Sequence, residues 1–243
     1  MKQTTLPKLT IVTVCFNACR DLEKTLLSVY QQHLREEVEH IIIDGGSTDS
    51  TLEVLETYKN NINFIVSEQD QGVYDAMNKG VHLSGSEWIY FLNAGDVFLD
   101  QHSLSKILHA QNDTDIIYSD VIVDSKKGRD TFHTDFVSKK LNHQGFVYKK
   151  MLHQSYGAYV VISGFTAADY LFFLQLGDVK VKKLEQPIAV FQAGGLSSTV
   201  KAVHQKYCLD FLAGKTTKTF LVAILLLYPF YRRWNELKLK FLK

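Results

Sequence analysis

The sequence predicts an α/β protein built on an open, mostly parallel central sheet flanked by helices. Three observations carry that prediction. Short apolar runs recur at residues 9–16, 40–43, 62–66 and 88–92, helical stretches separate them, and the runs lead into segments rich in Asp, Asn, Gly and Ser. A strand covered on both faces reads as a nearly continuous apolar run, and parallel neighbours need a crossover helix between them.

The first run, LTIVTVCF at 9–16, has the length and β-branching of a buried strand. Residues 21–32 then place Leu22, Leu26, Leu27 and Tyr30 on one helical face, which returns the chain to the second strand at 40–43. Asp44-Gly-Gly-Ser-Thr-Asp-Ser follows at once, and Ser50 with Glu53 has the spacing of a capping box opening a helix over 51–58. The third strand, 62–66, leads through a polar loop at 67–73 to a helix over 74–83. The fourth, 88–92, ends at Asn93-Ala-Gly-Asp96. Beyond residue 125 the alternation weakens. Residues 116–123 read as one strand, 167–176 as a helix and 188–191 as a short strand before Gly194 and Gly195. The prolines mark no domain boundary, so the division expected is a catalytic domain over 1–200 and a helical extension over 201–243.

Composition narrows the function classes. The 243 residues carry 27 Lys plus Arg against 26 Asp plus Glu and are 46% hydrophobic, which excludes a disordered chain. The balance is uneven: nine basic and two acidic residues from Lys201 onward give that stretch +7, leaving −6 on the first 200. An acidic body with a basic tail does not suit nucleic acid, whose binders line their main groove with positive charge. It suits a tail that meets an anionic membrane surface. Cys15, Cys19 and Cys208 match no zinc spacing and fit a reducing compartment. The opening residues run into a strand without a secretion-type apolar stretch, so the expected location is cytoplasmic.

In open α/β sheets ligands bind beyond the carboxyl ends of the strands, so Asn17, Asp44 and Asp96 should face one crevice. Each alone is ordinary turn chemistry, since turns demand Asp, Asn and Gly; together they read as a site. The chain has no Walker sequence and no G-x-G-x-x-G after the first strand, which argues against a P-loop or a standard dinucleotide fold.

Thr13-Val-Cys-Phe-Asn17, Ile42-Ile-Asp-Gly-Gly-Ser-Thr-Asp-Ser-Thr51, Glu68-Gln-Asp-Gln-Gly-Val-Tyr-Asp-Ala-Met-Asn-Lys-Gly80 and Phe91-Leu-Asn-Ala-Gly-Asp96 resemble, in order and spacing, the successive signatures of family 2 glycosyltransferases. Weaker similarity continues at His143-Gln144, Ala168-Asp169-Tyr170 and Gly194-Gly195-Leu-Ser197. The resemblance implies a GT-A fold and inverting transfer of a sugar from a nucleotide-diphosphate sugar to an acceptor hydroxyl, as in bacterial surface-polysaccharide assembly. It implies that Phe16, Asn17 and Asp44 line the nucleoside pocket, and that Asp75, Asn78 and Lys79 lie near the donor's ribose, sugar or diphosphate. It brings His143 and Gln144 to the donor diphosphate or acceptor and makes Gly195 part of a loop closing over the donor. Asp96 matches the last carboxylate of the family's metal motif, where Mg²⁺ or Mn²⁺ bridges protein and diphosphate through oxygen ligands. Asn93 and Gly95 stand there in place of further aspartates, so Asn93 joins the donor-binding set and cation affinity without nucleotide should be weak. Asp169 matches the catalytic base, which must take the proton of a poorly nucleophilic sugar hydroxyl; read without the resemblance, Thr166 or Asp169 would cap the helix that follows.

The run TFLVAILLLYPFY at 219–231 has 13 uncharged residues between Lys215 and Lys218 on one side and Arg232 and Arg233 on the other. At about 1.5 Å per residue it covers roughly 20 Å, short of a roughly 30 Å hydrocarbon core. With Trp234 at its end it reads as a helix lying in the membrane interface, peripheral on the inner face. Packing on the catalytic domain is the other reading. A membrane-held enzyme fits a lipid-linked glycan acceptor. Two competing functions remain at this stage: a sugar-phosphate nucleotidyltransferase, which expects a Gly-rich basic loop where this chain has Asn17-Ala-Cys-Arg20, and a non-catalytic nucleotide-sugar-binding protein of the same fold.

Overall fold

The computed structural model describes residues 6–195 and 199–241, with side chains through 233. Ser197 of the expected closing loop and the Trp234 side chain lie outside the described residues.

The first half alternates as expected. Strand β1 (Leu9–Cys15) leads to helix α1 (Cys19–Tyr30), β2 (Val38–Asp44), α2 (Thr51–Tyr58), β3 (Phe64–Ser67), α3 (Val73–Leu83) and β4 (Trp88–Phe91). β1 lies between β2 and β4 and is parallel to both, and β3 continues the parallel order on the far side of β2. Every residue of β1 and β2 is buried. Their side chains alternate between two layers: Val12, Val14, Ile41 and Ile43 pack with Tyr74 and Met77 of α3, whereas Leu9, Ile11 and Val38 pack on the opposite face. That double covering is why these strands are apolar throughout. Gly80 lets α3 press onto β1, since a Cβ there would stand 2.3 Å from Val12 Cγ1.

The second half completes the sheet and adds another. β5 (Val97–Phe98), α4 (Ser103–Ala110), β6 (Ile116–Tyr118), β7 (Val121–Ser125) and β8 (Gly128–Phe132) precede β9 (Phe146–Lys149). Then come α5 (Met151–Tyr156), α6 (Ala168–Gln175), β10 (Val181–Lys183), β11 (Ala189–Gln192), α7 (Val200–Leu212) and α8 (Lys218–Phe241). The main sheet runs β10-β6-β9-β4-β1-β2-β3, with β9 antiparallel to both neighbours, and a smaller sheet runs β5-β11-β7-β8.

Two local expectations are corrected. The single strand at 116–123 is two strands in different sheets, because the chain turns at Ser119 and Asp120. There the Ser119 N–H goes to the Gly145 carbonyl and Asp120 accepts from the Thr134 N–H. Ser50 does not cap α2 through its side chain; Asp49 accepts the Thr51 N–H at 3.0 Å instead.

The C-terminal segment is one 24-residue helix, α8, that carries Pro229 inside it. It packs on α7 through Tyr207 against Phe220 and His204 against Tyr228. α7 is tied to the body in turn, with Gln205 accepting from the Thr166 N–H and hydroxyl and Asp210 from the Tyr170 hydroxyl. Elsewhere α8 stays in solvent: Val222, Leu226, Leu227, Phe230 and Tyr231 are all exposed. Among the described residues no helix is long and apolar enough to cross a membrane.

Candidate active site

The exits of the parallel strands are stitched to one another by their own polar residues. Asn17, held at φ +47, donates its N–H to Ser47 Oγ at 2.7 Å and accepts the Thr48 N–H on Oδ1 at 2.8 Å, so it locks the loop after β1 to the loop after β2. Beside it Phe16 leaves 61% of its surface in solvent, an unusual exposure for an aromatic at the end of a buried strand.

Asp44 ends elsewhere than expected. Its carboxylate is fully buried and accepts from the Ser47 N–H and hydroxyl, the Ser67 hydroxyl and the Cys15 thiol. Those bonds turn it into the protein, where it shapes the loop wall, and leave no exposed carboxylate for a nucleoside. Burial, with Asp44 alongside, pushes the Cys15 thiol up. Asp70, which was not singled out, lies over this loop instead: a Cβ on Gly45 would meet its Oδ2 at 2.5 Å.

The α3 residues divide. Lys79 pairs with Glu68 at 2.7 Å and Asp75 at 3.4 Å, and Asp75 also accepts the Gln71 N–H, which ties the polar loop to the helix. The hydrogen bond to Glu68 holds the Lys79 ammonium above its ordinary range. Asn78 is committed away from the loop. Its Nδ2 donates to the Tyr159 carbonyl at 2.8 Å and its Oδ1 accepts the Tyr159 N–H at 2.9 Å, a two-point clamp on the segment that approaches α6.

A second network joins the exit of β4 to the start of α6. Asp169 accepts the Tyr74 hydroxyl at 2.7 Å on one oxygen and His143 Nδ1–H at 3.0 Å on the other, and His143 Nε2 lies 3.1 Å from the Asn93 side-chain amide. His143 and Asp169 keep 19% and 20% of their side-chain surface open. Burial alone would raise Asp169, but the His143 bond and charge, the Tyr74 hydroxyl and the Tyr170 N–H together hold it below the usual carboxylate range. Burial pushes His143 down, and the bond to Asp169, its charge and that of Asp96 carry it above its ordinary value. Neither proposed cap forms: α6 has no side-chain cap, and the Thr166 hydroxyl goes to Gln205.

Gln144 connects this network to Asp96. Its carbonyl accepts the Tyr90 hydroxyl at 2.7 Å, and its Nε2 donates to Asp96 Oδ2 at 2.9 Å. The other Asp96 oxygen accepts the Gln192 N–H at 3.3 Å, which brings the end of β11, and Gly194 and Gly195 soon after it, to the same place. Asp96 is 4% exposed, and burial pushes its pKa up to about 6 even with His143 nearby. Among the described residues there is no cluster of three or more Asp, Glu, His or Cys side chains able to hold a metal. A buried carboxylate with a raised pKa, bonded only to neutral amides, fits a cation as its missing partner, so Asp96 suits a divalent ion as a single protein anchor.

Asp96, His143, Asn93, Gln144 and Asp169 are thus brought together, Asn17 and Phe16 stand at neighbouring strand exits, and Asp44 and Asn78 are engaged internally. Tyr74 and Asp70 escaped the sequence reading. Tyr74 lies on the apolar face of α3, where an aromatic reads as core, and its hydroxyl meets a residue 95 positions later.

This architecture, a mostly parallel sheet with a polar network joining its strand exits, is that of the GT-A fold. The family model for glycosyl transferase family 2 matches residues 10–170, and the chain belongs to that family. It is 33% identical over 129 residues to a PGL/p-HBAD biosynthesis glycosyltransferase of Mycobacterium bovis, a match covering 51% of this chain and 50% of that protein. It is 37% identical over 95 residues to an uncharacterized glycosyltransferase of Mycobacterium tuberculosis, covering 39% of this chain and 36% of the relative. The matched segment spans about half the length of the first of these relatives and less of the second. Among solved structures, S. aureus TarS 1-349 in complex with UDP-GlcNAc superposes with a TM-score of 0.70 at 16% identity, covering 90% of this chain and 70% of that one. The mannosyltransferase PcManGT from Pyrobaculum calidifontis, in complex with GDP-Man and Mn²⁺, gives 0.66 at 15% identity over 92% and 70%. At such identities these two show a shared fold.

Proposed function

We propose that this protein transfers a sugar, with inversion, from a nucleotide-diphosphate sugar to a hydroxyl of a lipid-linked glycan, with Asp169 as the general base. The observation that carries this reading is the Asp169 carboxylate itself: ionised, partly open to the crevice, and fixed by Tyr74 and His143 within one hydrogen-bonded chain of the Asp96 exit. A hydroxyl bound beside it loses its proton to Asp169 as the glycosidic bond forms, and the sugar leaves the diphosphate on the opposite face. Phe16 offers a stacking face to a base, Asn17 holds the loop beneath it, and Lys79 with Asp75 stands at the mouth of the polar loop. Gly194 and Gly195 follow β11, whose last residue, Gln192, donates its N–H to Asp96. Asp96 and diphosphate oxygens would hold Mg²⁺ or Mn²⁺, which neutralises charge on the departing nucleotide. The two structural neighbours with bound nucleotide sugars, one of them with Mn²⁺, support the donor class and the cation.

The exposed apolar side of α8 supports contact with an anionic membrane surface. Its Leu226, Leu227 and Phe230 are 63%, 64% and 74% exposed, and basic residues flank them. In this reading residues 1–200 carry the chemistry, and 201–243 hold the enzyme peripherally at the inner face of the cell membrane, where lipid-linked acceptors concentrate.

Asp169→Asn tests the assignment. Turnover should fall by roughly 10²–10⁴-fold, the worth of a positioned base, while donor affinity stays within about threefold; full activity in the variant would remove Asp169 from the chemistry. A thermal-shift screen of nucleoside diphosphates with and without Mn²⁺ identifies the donor nucleotide, since a ligand that binds the folded state alone raises its stability.

A further inference from the structure

His143 is placed between a carboxylate and an amide, and the amide is the unexplained half. Nδ1 faces Asp169 Oδ2 at 3.0 Å, so it carries a proton. On the other side of the ring Nε2 faces Asn93 Nδ2 at 3.1 Å, while Asn93 Oδ1 is buried without a hydrogen-bond partner. The oxygen and nitrogen of a carboxamide have the same shape, and a half turn exchanges them without moving any other atom. After that turn Oδ1 accepts from Nε2–H, and the two amide N–H groups take the oxygen's former place.

We propose that Asn93 is a positioning residue: its amide oxygen accepts from His143 Nε2–H and holds the ring as an imidazolium, which donates through Nδ1 to Asp169 and fixes the orientation of that carboxylate. The role rests on the reading of Asp169 as base. The charged and titratable groups around the ring agree with it. Asp169 faces it from α6, Asp96 from the exit of β4, and Tyr74 of α3 lies beyond Asp169; burial opposes the charge, and the two carboxylates favour it. One fixed positive charge then lies beside Asn93 at the exit of β4.

The test is nitrogen-15 NMR of the full chain labelled at histidine, with His143 assigned by its loss in His143→Gln. Both His143 nitrogens should show the protonated signature at pH 7, with a titration midpoint above 6.5. In Asn93→Leu, which keeps the bulk and removes the acceptor, the midpoint should fall by about one unit. In the same variant the alkaline limb of the kcat profile, where the ring loses its charge, should move down by about one unit; a purely structural role would leave that limb in place. A neutral, singly protonated ring in the wild-type protein overturns the proposal without needing any variant to fold, and leaves the base assignment standing if Asp169→Asn is inactive. Full activity in Asp169→Asn removes the role assigned to Asn93 whatever the spectrum shows.

Discussion

Asn78 offers the sharpest contrast between a donor contact and a structural clamp. Replacing it with Leu removes both bonds to the Tyr159 backbone, at 2.8 and 2.9 Å, with little change in volume. Tyr159 is 3% exposed, so its N–H and C=O are left without water or partner. Each buried, unsatisfied group costs about 1–3 kcal/mol, which makes the loss about 2–6 kcal/mol for the pair. For a chain of this size each kcal/mol is about 2–4 °C in Tm, so a drop of about 4–24 °C is expected. Differential scanning fluorimetry measures the Tm, and calorimetric titration with the nucleoside diphosphate that the screen identifies measures affinity, which should change by less than about threefold. A variant as stable as wild type that binds the nucleotide more than tenfold more weakly would show that Asn78 serves the donor and that the clamp is incidental.

Other outcomes follow from the same geometry. His40 is fully buried and its Nε2 bonds Thr13, and burial lowers its pKa to about 3. The unfolded chain therefore takes up that proton first, so the contribution is intact above about pH 6.5 and fades as pH falls toward 3. It amounts to about 2 kcal/mol by pH 5, and urea titrations at pH 7.5 and 5 should show His40→Gln losing about that much less than wild type. Gly80→Ala drives a methyl group into Val12 and should cost about 1–3 kcal/mol in the same titration. Substituting Leu226, Leu227 and Phe230 together with Asp should weaken sedimentation with phosphatidylglycerol vesicles by more than about tenfold while leaving activity on a soluble acceptor unchanged. Equal vesicle binding would return α8 to a packing role.

What the sequence disclosed follows the range of the interactions involved. β1 to β4 and the helices between them were legible because apolar period and turn residues are local signals, and both faces of the sheet needed apolar cover there. β9 was not, because its identity as a strand depends on pairing with β4 and β6, far away in the chain. The run at 116–123 misled for a related reason: Ile116 and Val123 are equally apolar, and the turn between them is enforced by Gly145 and Thr134. At the site, the residue types were readable but their directions were not. Asp44 and Asn78 sit where a resemblance places donor contacts, yet three neighbouring side chains claim the first and one backbone segment claims the second.

In the proposed reading, the carboxylates at the strand exits must admit an anionic donor to an acidic body. Asp44 gives its charge to Ser47, Ser67 and Cys15, Asp75 to Lys79 and a backbone N–H, and Asp169 to His143 and Tyr74, so none of the three opposes a diphosphate with its full charge. Asp96 differs: with the Gln144 amide and the Gln192 N–H as its partners, burial moves its pKa up to about 6. A carboxylate left in that condition repels a diphosphate unless positive charge comes with it, and favours a diphosphate that brings a divalent ion. Binding of cation and donor should therefore be mutually dependent. Nucleoside diphosphate should raise the affinity for Mn²⁺, Mn²⁺ should raise the affinity for nucleoside diphosphate by the same factor, and Asp96→Asn should abolish the coupling while leaving nucleotide binding without metal intact. Equal nucleotide affinity with and without Mn²⁺ in the wild-type protein would refute this account of the crevice.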